Sequence, residues 1–161
     1  KLAASPPGLG QGTIFTTERN AEIEDLTRQF LKGLDLSGPV ALEFKRDNRG
    51  QYWMIEPNVG RTEYCVDLAI QSGINLPWIE YCQATGRTVG EEFRVLRQDR
   101  TWFDTDKDPL CYLRNRKKLY SGPTPAGAPV FPFVGTSDPK PLMASMAQHA
   151  LALAKEAIRP G

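Results

Sequence analysis

Val40-Ala41-Leu42-Glu43-Phe44-Lys45-Arg46, then Asp47-Asn48-Arg49-Gly50, then Gln51-Tyr52-Trp53-Met54-Ile55-Glu56-Pro57-Asn58: this stretch decides how the chain is read. Two apolar runs of strand length flank a polar cluster of turn residues, which predicts a β-hairpin with strands Val40 to Arg46 and Gln51 to Asn58. Glu43 interrupts a strongly apolar strand, and Glu56 directly follows Trp53-Met54-Ile55. Side chains alternate faces along a strand, so Glu56 and Asn58 share one face. If the loop holds an even number of residues, paired positions differ in parity; Glu43 then joins that face and can stand opposite Glu56. Opposed carboxylates repel by up to about 1 kcal/mol, a cost that a cation relieves. Mg²⁺ takes oxygen ligands, typically one or two carboxylates plus substrate phosphates. Asn58 adds a neutral oxygen one pleat repeat along, roughly 7 Å. The residue types leave a second reading open, an exposed sheet face on which both glutamates are solvated.

Outward from the hairpin, Ile23, Leu26, Phe30, Leu31 and Leu34 recur at helical spacing and predict an amphipathic helix from about Asn20 to Leu34, ended by Gly33 and Ser37-Gly38-Pro39. Before it, Ser5-Pro6-Pro7-Gly8-Leu9-Gly10 is loop-like, and Thr13-Ile14-Phe15-Thr16-Thr17 reads as a short β-branched strand. After the hairpin comes a helix from about Glu63 to Ser72, stopped by Gly73. Asn75 caps a further helix with Pro77 in its first turn and Gly86 beyond its end. Trp102 and Phe103 suggest a strand, and Asp108-Pro109 the start of a short helix to about Arg116. Residues 122–141 hold six Pro and three Gly and read as an extended connector. Asp138 opens a last helix with Leu142, Met146, Ala150, Leu153 and Ala157 on one face, stopped at Pro160.

Composition bounds the function class. A chain of 161 residues argues for one domain with an appendage, here residues 1–121 and 122–161. Hydrophobic residues make up 40% and charged residues 24%, ordinary globular values. Twenty basic residues against nineteen acidic leave a net charge of +1 and no electrostatic argument for nucleic acid or an anionic membrane. No apolar run approaches the ~20 residues of a membrane-spanning helix. Cys65, Cys82 and Cys111 are odd in number and widely spaced, which suits buried thiols in a reducing cytoplasm rather than a disulfide framework or a zinc site.

Other motifs reduce to plain structure. Gly8-Leu9-Gly10-Gln11-Gly12 lacks the Gly-Lys-Ser/Thr ending of a phosphate loop and runs into β-branched residues, so it reads as a flexible loop. Asp104, Asp106 and Asp108 begin like a calcium loop, but Pro109 and Asn115 occupy the positions where an EF-hand needs Gly and Glu. His149 is the single histidine, too little for a histidine triad or zinc site, and reads as a solvated or packed side chain. Arg114, Arg116, Lys117 and Lys118 read as a solvated helix end.

Glu43-Phe44-Lys45, the loop through Gly50, and Ile55-Glu56-Pro57-Asn58-Val59-Gly60-Arg61 resemble the C-terminal signature of the ATP-grasp superfamily. The Ser72-Gly73-Ile74-Asn75-Leu76-Pro77 link between two helices fits it. Ser137-Asp138-Pro139-Lys140-Pro141 before a final helix resembles a branch of predicted carboxylate–amine ligases. The likeness is firmest over residues 38–86. It implies an α+β fold: a C-terminal ATP-grasp-like subdomain, an antiparallel sheet with packed helices, incomplete because the chain begins inside the fold. It implies that Glu43, Glu56 and Asn58 ligate Mg²⁺ (or Mn²⁺), that these three with Lys45 and Arg61 bind ATP, and that Arg61 is catalytic, orienting a phosphate or the substrate carboxylate. Arg61 stands three residues after Asn58, where many members of the family have two.

The expected function is therefore the ATP- and magnesium-binding part of a ligase that converts a small carboxylate to an acyl phosphate for attack by an amine. The isolated chain is expected to bind ATP weakly and not to turn it over. The alternative is a non-catalytic, degenerate ATP-grasp module that binds nucleotide or a protein partner; carboxylate-triggered ATP hydrolysis separates the two.

Overall fold

A computed structural model describes residues 2–5, 10–93, 99–109, 111–112, 127–135 and 137–158. In chain order the elements are β1 (Ala3–Ser5), β2 (Gln11–Thr16), α1 (Ala21–Leu31), β3 (Val40–Arg46) and β4 (Tyr52–Val59). There follow α2 (Val66–Ser72), α3 (Leu76–Ala84), a 3₁₀ turn (Glu91–Phe93), β5 (Arg100–Phe103), β6 (Ala128–Val130) and α4 (Lys140–Ile158). The fold class is α+β, and antiparallel strand pairs predominate. The chain clusters into two compact units, residues 1–17 with 98–161, and residues 18–97. That differs from the expected division after residue 121, a position that itself lies outside the described residues. Tertiary pairing joins the N-terminal strands to a segment some 85 residues later, and local composition carries no sign of such a partner.

The first unit is built on a four-stranded sheet in the order β1-β2-β5-β6. β2 and β5 are antiparallel, with Ile14 opposite Phe103 and Thr16 opposite Thr101. β6 adds in parallel to β5, Arg100 opposite Ala128. The sheet is thus mixed, and three residues of the stretch read as an extended connector are a strand. Consecutive residues of both central strands are buried, Gly12–Ile14 in β2 and Thr101–Phe103 in β5. Strands covered on both faces lose the alternating pattern by which a strand is recognised. One core cluster joins Ala3, Ile14, Phe103 and Cys111, with Leu2, Tyr112 and Phe131 against it. Phe103 and Tyr112 meet edge to face at 5.0 Å, and Tyr112 and Phe131 at 5.1 Å, a geometry in which ring edges address ring faces.

Helix α4 is tied to the 104–108 loop. Ser145 Oγ donates to Asp106 Oδ1 at 2.6 Å, and His149 Nε2 lies 2.5 Å from the Asp106 carbonyl oxygen. His149 is therefore a packed histidine. Asp138 stands just outside the helix, its Oδ1 accepting from the Lys140 N–H. Of the helix expected from Asp108 to Arg116, Cys111 and Tyr112 are helical while Asp108 and Pro109 stand outside the helix; residues 110 and 113–116, the basic run at 114–118 and residues 6–9 lie outside the described residues.

Asp104 is buried at the start of the 104–108 loop. Desolvation raises its pKa, against the opposing pull of the Lys107 N–H at 3.2 Å and the Lys107 ammonium, 3.7 Å from Oδ2. The folded chain therefore holds that proton more tightly than the unfolded chain does. The resulting stabilisation is complete below the ordinary value of 3.8 and is lost as the pH rises through the raised one. Asp104→Asn keeps an oxygen for the Lys107 N–H and cannot ionise. Its melting temperature is expected to gain on the wild type as the pH climbs from the acid range to neutrality. A difference that stays constant with pH would show that Asp104 does not titrate differently on folding.

Candidate metal site

The second unit carries the hairpin in the expected place. β3 matches the expected strand, and β4 begins and ends one residue later. The loop between them, residues 47–51, has five residues rather than an even number. Its shape comes from one side chain: Asp47 Oδ1 accepts from the N–H groups of Arg49 and Gln51, both at 2.9 Å, and Oδ2 accepts from Trp53 Nε1 at 3.0 Å. These donors hold the Asp47 carboxyl below its ordinary range, the Trp53 N–H first and the Gln51 N–H next. Gly50, at φ +87°, completes the turn in a backbone region that side chains disfavour.

An odd loop by itself would pair residues of equal parity and put Glu43 opposite Ile55. The ladder does begin so, with Arg46 opposite Tyr52, Lys45 opposite Trp53 and Phe44 opposite Met54. Between Phe44 and Glu43 the register shifts, and Glu43 pairs directly with Glu56. Ile55 is the extra residue, a β-bulge. Below it the ladder continues through Leu42 opposite Pro57, Ala41 opposite Asn58 and Val40 opposite Val59. The bulge restores the parity that the loop removed. Glu43 and Glu56 are thus cross-strand neighbours, and Asn58, two residues along β4, stands on their face. Lys45, two residues along β3 on the other side, is placed on that face as well.

Both glutamates are exposed and Asn58 is half-buried. Among the described residues, no three His, Cys, Asp or Glu side chains stand together as a metal cluster. A cation here would have two carboxylates and one amide oxygen from the protein, an all-oxygen set. That set fits Mg²⁺, which keeps several positions for water and phosphate.

Two neighbours frame the site. Asn20 caps α1, its Oδ1 accepting from the Ile23 N–H, while its Nδ2 donates to the Tyr52 hydroxyl at 2.9 Å, tying the helix entry to β4. At the open end, the Gly60 N–H donates to Pro39 O at 2.9 Å. Gly60 takes φ +81°, turning the chain back at the strand's end. Arg61 then reaches the residue three before it, and its Nη2 donates to Asn58 Oδ1 at 2.9 Å. The expected site residues therefore fall into two groups: Glu43, Glu56, Asn58 and Lys45 share a face by register, and Arg61 joins them through a hydrogen bond to Asn58. The Asp47–Trp53 and Asn20–Tyr52 contacts were not anticipated; the only sequence signal for them is a polar residue at a loop start and one at a helix start. In comparisons with known proteins, no family model, no curated protein and no solved structure matches this chain.

Proposed function

We propose that this hairpin is the magnesium- and ATP-binding element of an ATP-grasp-like ligase, which activates a small carboxylate as an acyl phosphate for attack by an amine. The observation that supports the reading most strongly is the register: a bulge places Glu43 directly opposite Glu56, with Asn58 on the same face. Two like charges opposed across a ladder destabilise a hairpin by themselves, so a bulge that brings them together is best explained by a cation between them. Glu43, Glu56 and Asn58 would hold Mg²⁺, which when bound neutralises nucleotide phosphates and thereby permits an anionic carboxylate to approach. Lys45 extends the same face with a further positive charge for a phosphate. The guanidinium of Arg61 has the planar fork that suits an oxyanion.

The test uses Mn²⁺ as a paramagnetic substitute, added with a non-hydrolysable ATP analogue to isotope-labelled protein. Amide signals of residues near Glu43, Glu56 and Asn58 should broaden first. Broadening that is strongest at Asp104 and Asp106, or none at all, would overturn the metal assignment. Magnesium-dependent ADP release that appears only when a carboxylic acid is supplied would support the ligase reading over a binding module, and its absence across a broad panel of acids would count against it.

A further inference from the structure

Arg61 does something in this structure that its charge alone does not explain. Its Nη2 donates to Asn58 Oδ1, the one neutral oxygen of the set. Arg61 itself is exposed, whereas Asn58 is half-buried, so the guanidinium reaches inward to that oxygen although solvent is available to it. A guanidinium on an amide oxygen is a cation on a metal donor.

Resting on the metal reading above, we infer that Arg61 is a built-in stand-in for the cation. It holds Asn58 Oδ1 oriented while no metal is bound, competes with the metal for that oxygen, and gives up the bond when the metal takes it. Three features carry this. The carboxylates of Glu43 and Glu56 have no cationic partner among the ion pairs of the described residues, so the positive charge of Arg61 is directed at the amide and not at them. The Gly60 turn, whose positive φ a side chain would strain, gives Arg61 its path back to Asn58. An amide oxygen has two lone pairs, but a guanidinium and a dication that share one oxygen repel each other, so each weakens the other's hold on it. Cation arrival and release of Arg61 are thereby coupled, and the freed fork becomes available to an anionic ligand in the same event. Arg61 is in this role a positioning residue for Asn58, beyond any contact with substrate.

The experiment measures Mn²⁺ affinity of the whole chain without nucleotide, from the free-ion resonance signal, for wild type, Arg61→Ala, Lys45→Ala, Asn58→Ala and the Asn58→Ala/Arg61→Ala pair. Lys45→Ala removes the same charge from the same face without touching Asn58. Arg61→Ala is expected to tighten binding by about tenfold, the equivalent of one competing charge-assisted hydrogen bond, and Lys45→Ala by clearly less. In the Asn58→Ala background the Arg61 effect should shrink to the Lys45 level. In the wild type, Mg²⁺ should also move the Asn58 side-chain amide signal and the Arg61 Nε–H signal together. If Arg61→Ala tightens binding no more than Lys45→Ala, or weakens it, the inference is overturned while the metal site stands. If Mn²⁺ binds the wild type no better than it binds the Glu43→Gln/Glu56→Gln double variant, the metal reading fails and takes the inference with it.

Discussion

Glu56→Gln is expected to weaken binding of Mn²⁺ with ATP by tenfold or more, about 1.4 kcal/mol or above, while the melting temperature stays within about 2 °C of the wild type. The two expectations separate because of where Glu56 stands. It is exposed, directly opposite Glu43, and it makes no ion pair among the described residues. Folding gains little from it, and neutralising one of two facing carboxylates removes a repulsion in the metal-free state. A hard dication, by contrast, depends on ligand charge, and an amide oxygen is a weak replacement for a carboxylate. Glu43→Gln should behave alike, and the effects of the two should be less than additive, because they serve one cation. Calorimetric titration beside a thermal melt checks both halves. Unchanged affinity in Glu56→Gln, or a loss of affinity that tracks a loss of folded protein, would remove Glu56 from the site.

Gly127→Ala should destabilise the first unit by more than about 2 kcal/mol. Gly127 sits at φ +75° immediately before β6, and a Cβ there would lie 1.8 Å from Asp99 O and 2.8 Å from Arg100 N. Those backbone atoms lead into β5, the strand on which β6 lies in parallel. The methyl group would have to push β6 away, uncovering Val130, which is 1% exposed. Gly33→Ala is the matched control: φ is +82°, and nothing lies within 4 Å of the added carbon. It carries the conformational penalty without the clash. Urea unfolding of both variants decides the matter, since equal losses would mean that the two strands do not approach as closely as described.

These sites differ in how far the chain announced them. The hairpin was legible because its signals are local: two apolar runs, a turn cluster, and two acidic residues out of place. The four helices were legible for the same reason, α1 and α4 through periodicity and α2 and α3 through the punctuation of Gly73 and Asn75. The face of α4 was not: Met146 and Ala150, expected on its apolar face, are exposed, and Leu142, Ser145 and His149 are the half-buried positions. β1 and β6 were not. Each has three residues in a stretch rich in Pro, Gly or Ala, and each exists because a distant strand offers it hydrogen bonds. The site's face was inferred from an even loop, whereas the loop is odd and a bulge supplies the missing residue. Nothing in Trp53-Met54-Ile55-Glu56 marks Ile55 as the extra member, since the choice depends on how Asp47 folds the tip and how the strand ends are closed. The bond from Arg61 to Asn58 was hidden likewise, because it requires the turn at Gly60 to be known first.

The bulge at Ile55 behaves as a dislocation does in a crystal: it belongs to the ladder rather than to any one residue. Shifted by a single pair toward Val59, it would set Ile55 opposite Glu43 and leave Glu56 as the odd residue, with every other pairing of the hairpin kept. The juxtaposition of the two acids is thus fixed by the location of one defect and not by the composition of either strand. Two chains with identical glutamates but differently placed defects would have different chemistry on this face.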